Sequence, residues 1–293
     1  VRYQAAILGF LLSMSGLPAA PHNRLEYVCQ LSEGSTAFVH YAKLGGRQVA
    51  VKSFKRATLA HHAAARREIA VLSRIKHERL INLIAVEESE EAMPKLIMEL
   101  GEGGNLFSLI HFTAGELPLA HCFKIMADVA EGMKFLHGCR PMIMHRDLKT
   151  LNLLLSTVYS ASKLPSIKVC DFGSSRMQDQ SDDQGWSTLT WGVGTMPWMA
   201  PEVRSGVYDQ KADVYSFGMV MFEVFARELP FEGEEIGSLP ARCLAGARPN
   251  LDALPPTVSD EAVEILSCAW LQEAAQRPSF ATLLSMISAC QEC

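Results

Sequence analysis

A surplus of positive charge is missing from this chain. Its 293 residues carry 27 Lys and Arg against 32 Asp and Glu, a formal net charge of -5. No basic field exists to attract nucleic acid or an anionic membrane surface. The eight cysteines lack the dense spacing of a disulfide framework. Cys29, Cys122, Cys139, Cys170, Cys243, Cys268, Cys290 and Cys293 are scattered among apolar neighbours, which fits a reducing, cytoplasmic setting. Cys290 and Cys293 do form a Cys-x-x-Cys pair. Structural zinc needs two more ligands, however, and no second pair or His cluster lies nearby. Long apolar runs are scarce too. The uncharged stretch from Ala5 to Ala20 falls short of the ~18 to 20 apolar residues that cross a bilayer, and Gly9 and Gly16 interrupt it. It reads as a signal-peptide core, as the end of a membrane span that would attach the protein to a membrane, or, in the preferred reading, as an N-terminal helix packing on the domain or upstream sequence cut arbitrarily. Internal repeats and long linkers are absent.

What remains is globular. Hydrophobic residues make up 48% of the chain, and its length exceeds what one simple core accommodates, so two packed lobes are expected. Residues 24 to 56 alternate as strands, in EYVCQL and RQVAVKSF, with turn signals at Glu33-Gly34-Ser35 and Gly45-Gly46. From Leu59 to Ile75 an Ala-rich pattern, with Ile69, Leu72 and Ile75 three apart, predicts a helix with one apolar stripe. INLIAVEES and KLIMEL return to strand character. Gly101-Glu-Gly-Gly104 then looks like a hinge. Beyond it the chain is mostly helical. PLAHCFKIMADVAEGMKFLHG repeats apolar residues at three- and four-residue steps, with Gly138 as stop. DVYSFGMVMFEVFA, Asp213 to Ala226, is apolar nearly all round and predicts a buried central helix capped by Asp213. STVYSASKLPS, between LNLLL and IKVCDF, predicts an exposed hairpin loop.

One stretch resists a purely structural reading. In MIMHRDLKTLNLLL, Met142 to Leu155, His145, Arg146, Asp147, Lys149 and Asn152 interrupt what otherwise reads as buried strand. Buried polar groups cost free energy unless each finds a partner. Asp147 and Asn152 stand in the order His-Arg-Asp-x-x-x-x-Asn, and Asp171-Phe-Gly173 follows the next strand pair. With Val49-Ala-Val-Lys52, Glu68, Ala200-Pro-Glu202, Asp213 and Arg277, the series resembles the protein kinase family over residues 24 to 285. HRDLKTLN, GTMPWMAPE and ADVYSFG are most similar to the tyrosine-kinase-like group of serine/threonine kinases.

The resemblance implies an α+β, bilobal fold: a small antiparallel sheet with one helix over residues 24–100 and a larger, mainly helical lobe over 101–293, preceded by an apolar extension at 1–23. It implies ATP and Mg2+, with protein serine or threonine as acceptor. Asp147 would be the general base or orienter of the hydroxyl, and Lys149 a cation for the moving phosphoryl group. Asn152 and Asp171 would hold the metal, a hard ion that prefers oxygen. Lys52, paired with Glu68, would meet the α and β phosphates. Met98 would be the gatekeeper, Glu99 and Gly101 would offer backbone groups to adenine, and Leu31, Gly34, Val39, Ala50, Leu154 and Cys170 would line the nucleotide pocket. His145 reads as structural, and Glu202 with Arg277 as a buried bracing pair. Thr195 would bridge Asp147 and Lys149. A phosphate on Ser187, Thr188 or Thr190, placed by an upstream kinase or by autophosphorylation, would pair with Arg146. The sequence departs from the family in its glycine-rich loop. Ser32 and Ala37 stand where glycines are usual and only Gly34 remains. Ser and Ala tolerate positive φ poorly, so the loop raises the alternative of a pseudokinase-like interaction module.

Overall fold

The computed structural model describes residues 25–34, 36–55, 59–87, 93–177, 196–206 and 208–292. The Ala5–Ala20 stretch, Ser187, Thr188, Thr190, Thr195 and Cys293 lie outside them. The chain forms two compact units, Val1–Gly101 with Phe172–Ser175, and Glu102–Asp171 with Arg176–Cys293.

The first unit is a five-stranded antiparallel sheet in the order β1-β2-β3-β5-β4. Its strands are β1 (Leu25–Glu33), β2 (Ala37–Leu44), β3 (Arg47–Phe54), β4 (Leu83–Glu87) and β5 (Lys95–Met98). Two-residue alternation sorts β3 by face. Val49 and Val51 join Ala42, Ala85 and Ile97 in one buried cluster, while Ala50 and Lys52 take the opposite face. Helix α1 (Leu59–Leu72) buries Ala65, Glu68, Ile69 and Leu72. It stops before the expected Ile75 because the backbone tightens there, Arg74 N–H donating to Val71 O at 3.0 Å. Ile75 is buried all the same. Phe172, 1% exposed, lies in a short 3-10 turn that packs on α1.

The second unit is mainly helical: α2 (Leu106–Phe112), α3 (Leu119–Gly138), α4 (Lys211–Ala226), α5 (Leu239–Leu244), α6 (Asp260–Ala269) and α7 (Phe280–Glu292). Two short ribbons complete it, β6 (Ile143–Met144) with β9 (Arg176–Met177) and β7 (Leu153–Leu155) with β8 (Ile167–Val169). The central helix is α4, buried on every side from Ala212 to Phe225. Phe217 meets Phe280 of α7 edge-on at 5.4 Å, and Phe225 meets Phe123 of α3 at 5.8 Å. Gly138 closes α3 without adopting positive φ, and the extended Cys139 turns the chain away. The seven described cysteines are all free thiols, and burial pushes the Cys122 thiol up to about 12. Among the described residues, no helix is long and apolar enough to cross a membrane.

The presumed hinge glycines have a packing reason. Gly103 N–H donates to Leu155 O at 3.1 Å and Leu155 N–H to Gly104 O at 2.9 Å, so this segment lies directly against β7. A Cβ on Gly103 would stand 2.2 Å from Thr157 O and 2.6 Å from Leu155 Cβ, and Gly104 takes φ +75. The β7–β8 hairpin is pinned at the neck of its loop by Ser156 N–H to Ser166 O at 2.9 Å and Ile167 N–H to the buried Asp128 carboxylate at 2.9 Å. Gly103→Ala is therefore expected to cost about 1–3 kcal/mol through overpacking, read as a lower midpoint in urea or thermal unfolding. An unchanged midpoint would contradict the close approach.

Candidate active site

In the first unit, the antiparallel register sets Val39 opposite Lys52 and Ala50 opposite Met98. Lys52 and Glu68 are 8% and 1% exposed, and Lys52 Nζ lies 2.7 Å from Glu68 Oε1. A lysine this deep needs its counter-ion, since burying either charge alone costs several kcal/mol. Glu68 thus pairs across to β3. The Glu99 carboxylate accepts from Asn82 N–H at 2.7 Å and from Asn82 Nδ2 at 2.8 Å, while Glu99 N–H donates to Asn82 O at 3.0 Å. That last bond removes the Glu99 N–H as a donor to a purine. Gly101 ends this unit.

The loop with the missing glycines does not carry the penalty expected of it. Ser32 lies within β1 and Ala37 within β2. Among the described residues, the non-glycine positions with positive φ are Arg146, Asp171, Arg227 and Phe231. Neither replacement strains the backbone, so the argument from Ser32 and Ala37 toward an inactive scaffold loses its physical basis.

In the second unit, His145, Asp147, Lys149 and Asn152 of the 142–155 stretch find partners for their side chains, whereas the buried Nε of Arg146 has none among the described residues. Lys149 Nζ sits 2.9 Å from both Asp147 carboxylate oxygens. Asn152 Nδ2 donates to Asp147 O at 2.7 Å and to Asp147 Oδ2 at 3.0 Å. With its amide hydrogens directed at Asp147, Asn152 presents its carbonyl oxygen as the remaining ligand atom. Cys170 N–H donates to Asn152 O at 2.9 Å, which ties Asn152 to the residue before Asp171. His145, fully buried, has Nε2 3.0 Å from Cys170 O and accepts from Asp147 N–H at Nδ1, 3.3 Å away. One tautomer satisfies both contacts, the reading of His145 as structural. Leu154 pairs with Lys168 across the β7–β8 ribbon. Asp171 adopts φ +65, in the left-handed region that Asp visits more readily than most residues with a side chain. Among the described residues no cluster of three His, Cys, Asp or Glu can hold a metal alone. One carboxylate and one amide oxygen suit Mg2+, which takes few protein ligands and fills its shell from phosphates and water.

Asp213 overturns an expectation. It lies inside the first turn of α4 and does not cap that helix. Its buried carboxylate instead accepts from His145 N–H at 2.9 Å and Arg146 N–H at 2.7 Å, with His137 Nε2 2.9 Å away. Arg146, just before Asp147, has φ +68. Burial pushes the Asp213 carboxyl up, but the His137 contact and the Arg146 N–H outweigh it and hold it below the usual carboxylate range.

Glu223 is a functional candidate that motif reasoning missed. Fully buried in α4, it receives Thr150 Oγ1 at 2.7 Å and Trp198 Nε1 at 2.9 Å, and lies 2.9 Å from His111 Nε2. The signal was available: a glutamate in a helix that is apolar all round must find donors. Arg277, 1% exposed, forks onto Glu202 at 2.5 and 3.0 Å, as expected. A small depression is lined by Arg146, Asp147, Trp198, Met199, Tyr208 and Asp213.

Residues 25–287 match the family model described as protein kinase domain. The chain is 32% identical over 266 residues to the probable serine/threonine-protein kinase SIS8 of Arabidopsis thaliana, covering 88% of this chain and 24% of that protein. Serine/threonine-protein kinase CTR1 of the same plant is 31% identical, with 88% and 30% covered. Mitogen-activated protein kinase kinase kinase 7 of Drosophila melanogaster is 32% identical, with 88% and 36% covered. The chain thus spans only about a quarter to a third of the length of these relatives.

Because the Asp213 carboxyl is depressed in the folded chain, its contribution is present above the unfolded value near 3.9 and fades as pH falls through the folded one. Asp213→Asn is expected to lose about 3 kcal/mol at pH 7, with the gap to the native chain narrowing in acid. Urea unfolding at pH 7 and again below pH 4 checks this, and a gap that widens in acid would refute the assignment.

Proposed function

The chain belongs to the protein kinase family, and from that premise we propose that it transfers the γ-phosphate of ATP to serine or threonine hydroxyls of protein substrates. The observation that carries this reading is the Asp147 carboxylate held between Lys149 and Asn152. A carboxylate so fixed accepts a hydrogen bond from the incoming hydroxyl in one orientation and takes its proton as the new P–O bond forms. Lys149 offsets the negative charge that gathers on the transferred group's oxygens. Lys52, held by Glu68, addresses the α and β phosphates. Bound Mg2+ would neutralise phosphate oxygens, with Asn152 and Asp171 as the residues that hold it.

A protein as acceptor is supported by the family match and by the similarity to serine/threonine-protein kinases. Activation through a phosphate on Ser187, Thr188 or Thr190 belongs to the same reading. It is supported by Arg146, whose guanidinium lies 5.6 Å from the Tyr208 ring and whose buried Nε has no hydrogen-bond partner among the described residues. A reducing, cytoplasmic setting accords with the free thiols.

Asp147→Asn keeps the side-chain volume and removes the base. Radiolabelled phosphate incorporation into a peptide library is expected to fall ~1,000-fold, while the thermal shift induced by Mg-ATP persists. Near-native incorporation by this variant would reject the proposal.

A further inference from the structure

The β1–β2 turn lacks two glycines, yet Lys55 contacts it in three separate ways. Lys55 follows the end of β3, three residues beyond Lys52. Its N–H donates to Thr36 O at 2.9 Å. Its Nζ pairs with Glu33 Oε1 at 2.5 Å and also lies 4.6 Å from the centroid of the Phe38 ring. Gly34 N–H closes the tip onto Ala37 O at 2.9 Å. One lysine therefore grips the turn from Glu33, at the end of β1, to Phe38, early in β2. In a glycine-rich turn the backbone would be loose and its ordering would fall on the bound nucleotide. Here much of the order exists before any ligand arrives.

We propose that Lys55 is a positioning residue of the nucleotide loop, clamping the β1–β2 turn through Glu33 and Phe38 so that the phosphates meet a loop already set. This inference rests on the ATP-dependent reading above. Lys55 acts on the loop and not on the reacting atoms, so its removal weakens nucleotide capture and leaves the chemical step alone. Because the Glu33 partner is exposed to solvent, the clamp is modest and salt-sensitive. The expected effect is a several-fold change, not an abolition.

The test uses Lys55→Met, which keeps the apolar stem over Phe38 without the charge, together with Glu33→Gln and the exchange Glu33→Lys with Lys55→Glu. Both single variants are expected to raise KM for ATP about three- to fivefold, the size of one exposed ion pair, with kcat within about twofold and the unfolding midpoint unchanged. The exchange is expected to recover KM. Amide hydrogen exchange of the nucleotide-free protein reads the clamp independently of activity, with faster exchange at Gly34 and Lys55 expected in Lys55→Met. Unchanged KM and unchanged exchange in the single variants overturn the proposal, as does a loss of kcat that tracks a lowered midpoint. If the native chain neither binds Mg-ATP nor transfers phosphate, the kinase reading fails, and hydrogen exchange alone then decides whether the clamp exists.

Discussion

The second unit depends on one buried carboxylate. Asp213 sits in the helix that forms the middle of this unit and receives two backbone N–H groups from the loop that carries Asp147, one of them from Arg146 in a left-handed conformation. Such a conformation costs of order 1–3 kcal/mol for a residue with a side chain and persists only where its surroundings impose it. The adjoining residue is Asp147. The direction in which the Asp147 carboxylate points is thus set by a hydrogen-bonded anchor in the next α-helix of the chain, and rigid helix packing is converted into loop geometry.

The same logic repeats at each polar group that interrupts an apolar segment. Lys52 finds Glu68, Glu223 gathers Thr150 and Trp198, Arg277 forks onto Glu202, and His145 spans two backbone groups. Apart from the local His145–Asp147 contact, each pairing joins segments remote in sequence, so none of these contributes before the fold has formed. A set of buried, fully partnered charges adds little net stability compared with apolar packing, but it permits few alternative arrangements.

The sequence was most legible where chemistry demands residue types at fixed separations. The Asp147 and Asn152 spacing, the Asp171 triplet and the Lys52 and Glu68 pairing could be located without coordinates, as could the strand and helix order, because alternation and three-to-four periodicity are local. Three features were not legible. Asp213 looked like a cap because the residue type suits a cap, and only tertiary contacts reveal which N–H groups it serves. Gly101 to Gly104 looked like a hinge between lobes, and the chain does divide at Gly101, but the close packing that leaves the Gly103 hydrogen no room to become a methyl group against Thr157 was not visible. Ser32 and Ala37 looked costly because the family's glycines suggest positive φ, which the strands around them do not adopt. In each case the residue type was read correctly and its neighbour was unknown.

The hairpin of β7 and β8 adds a practical property. Its neck is stitched on both sides, by Ser156 with Ser166 and by Asp128 with Ile167, while Gly103 and Gly104 clasp Leu155 from outside. Residues between those stitches close a loop whose ends are already together, and the entropy of such closure grows only with the logarithm of its length. The span from Val158 to Leu164 is therefore a natural port for inserted sequence, a tag or a sensor domain, where extra chain can be carried without disturbing the register that delivers Asn152 and Cys170 to their places.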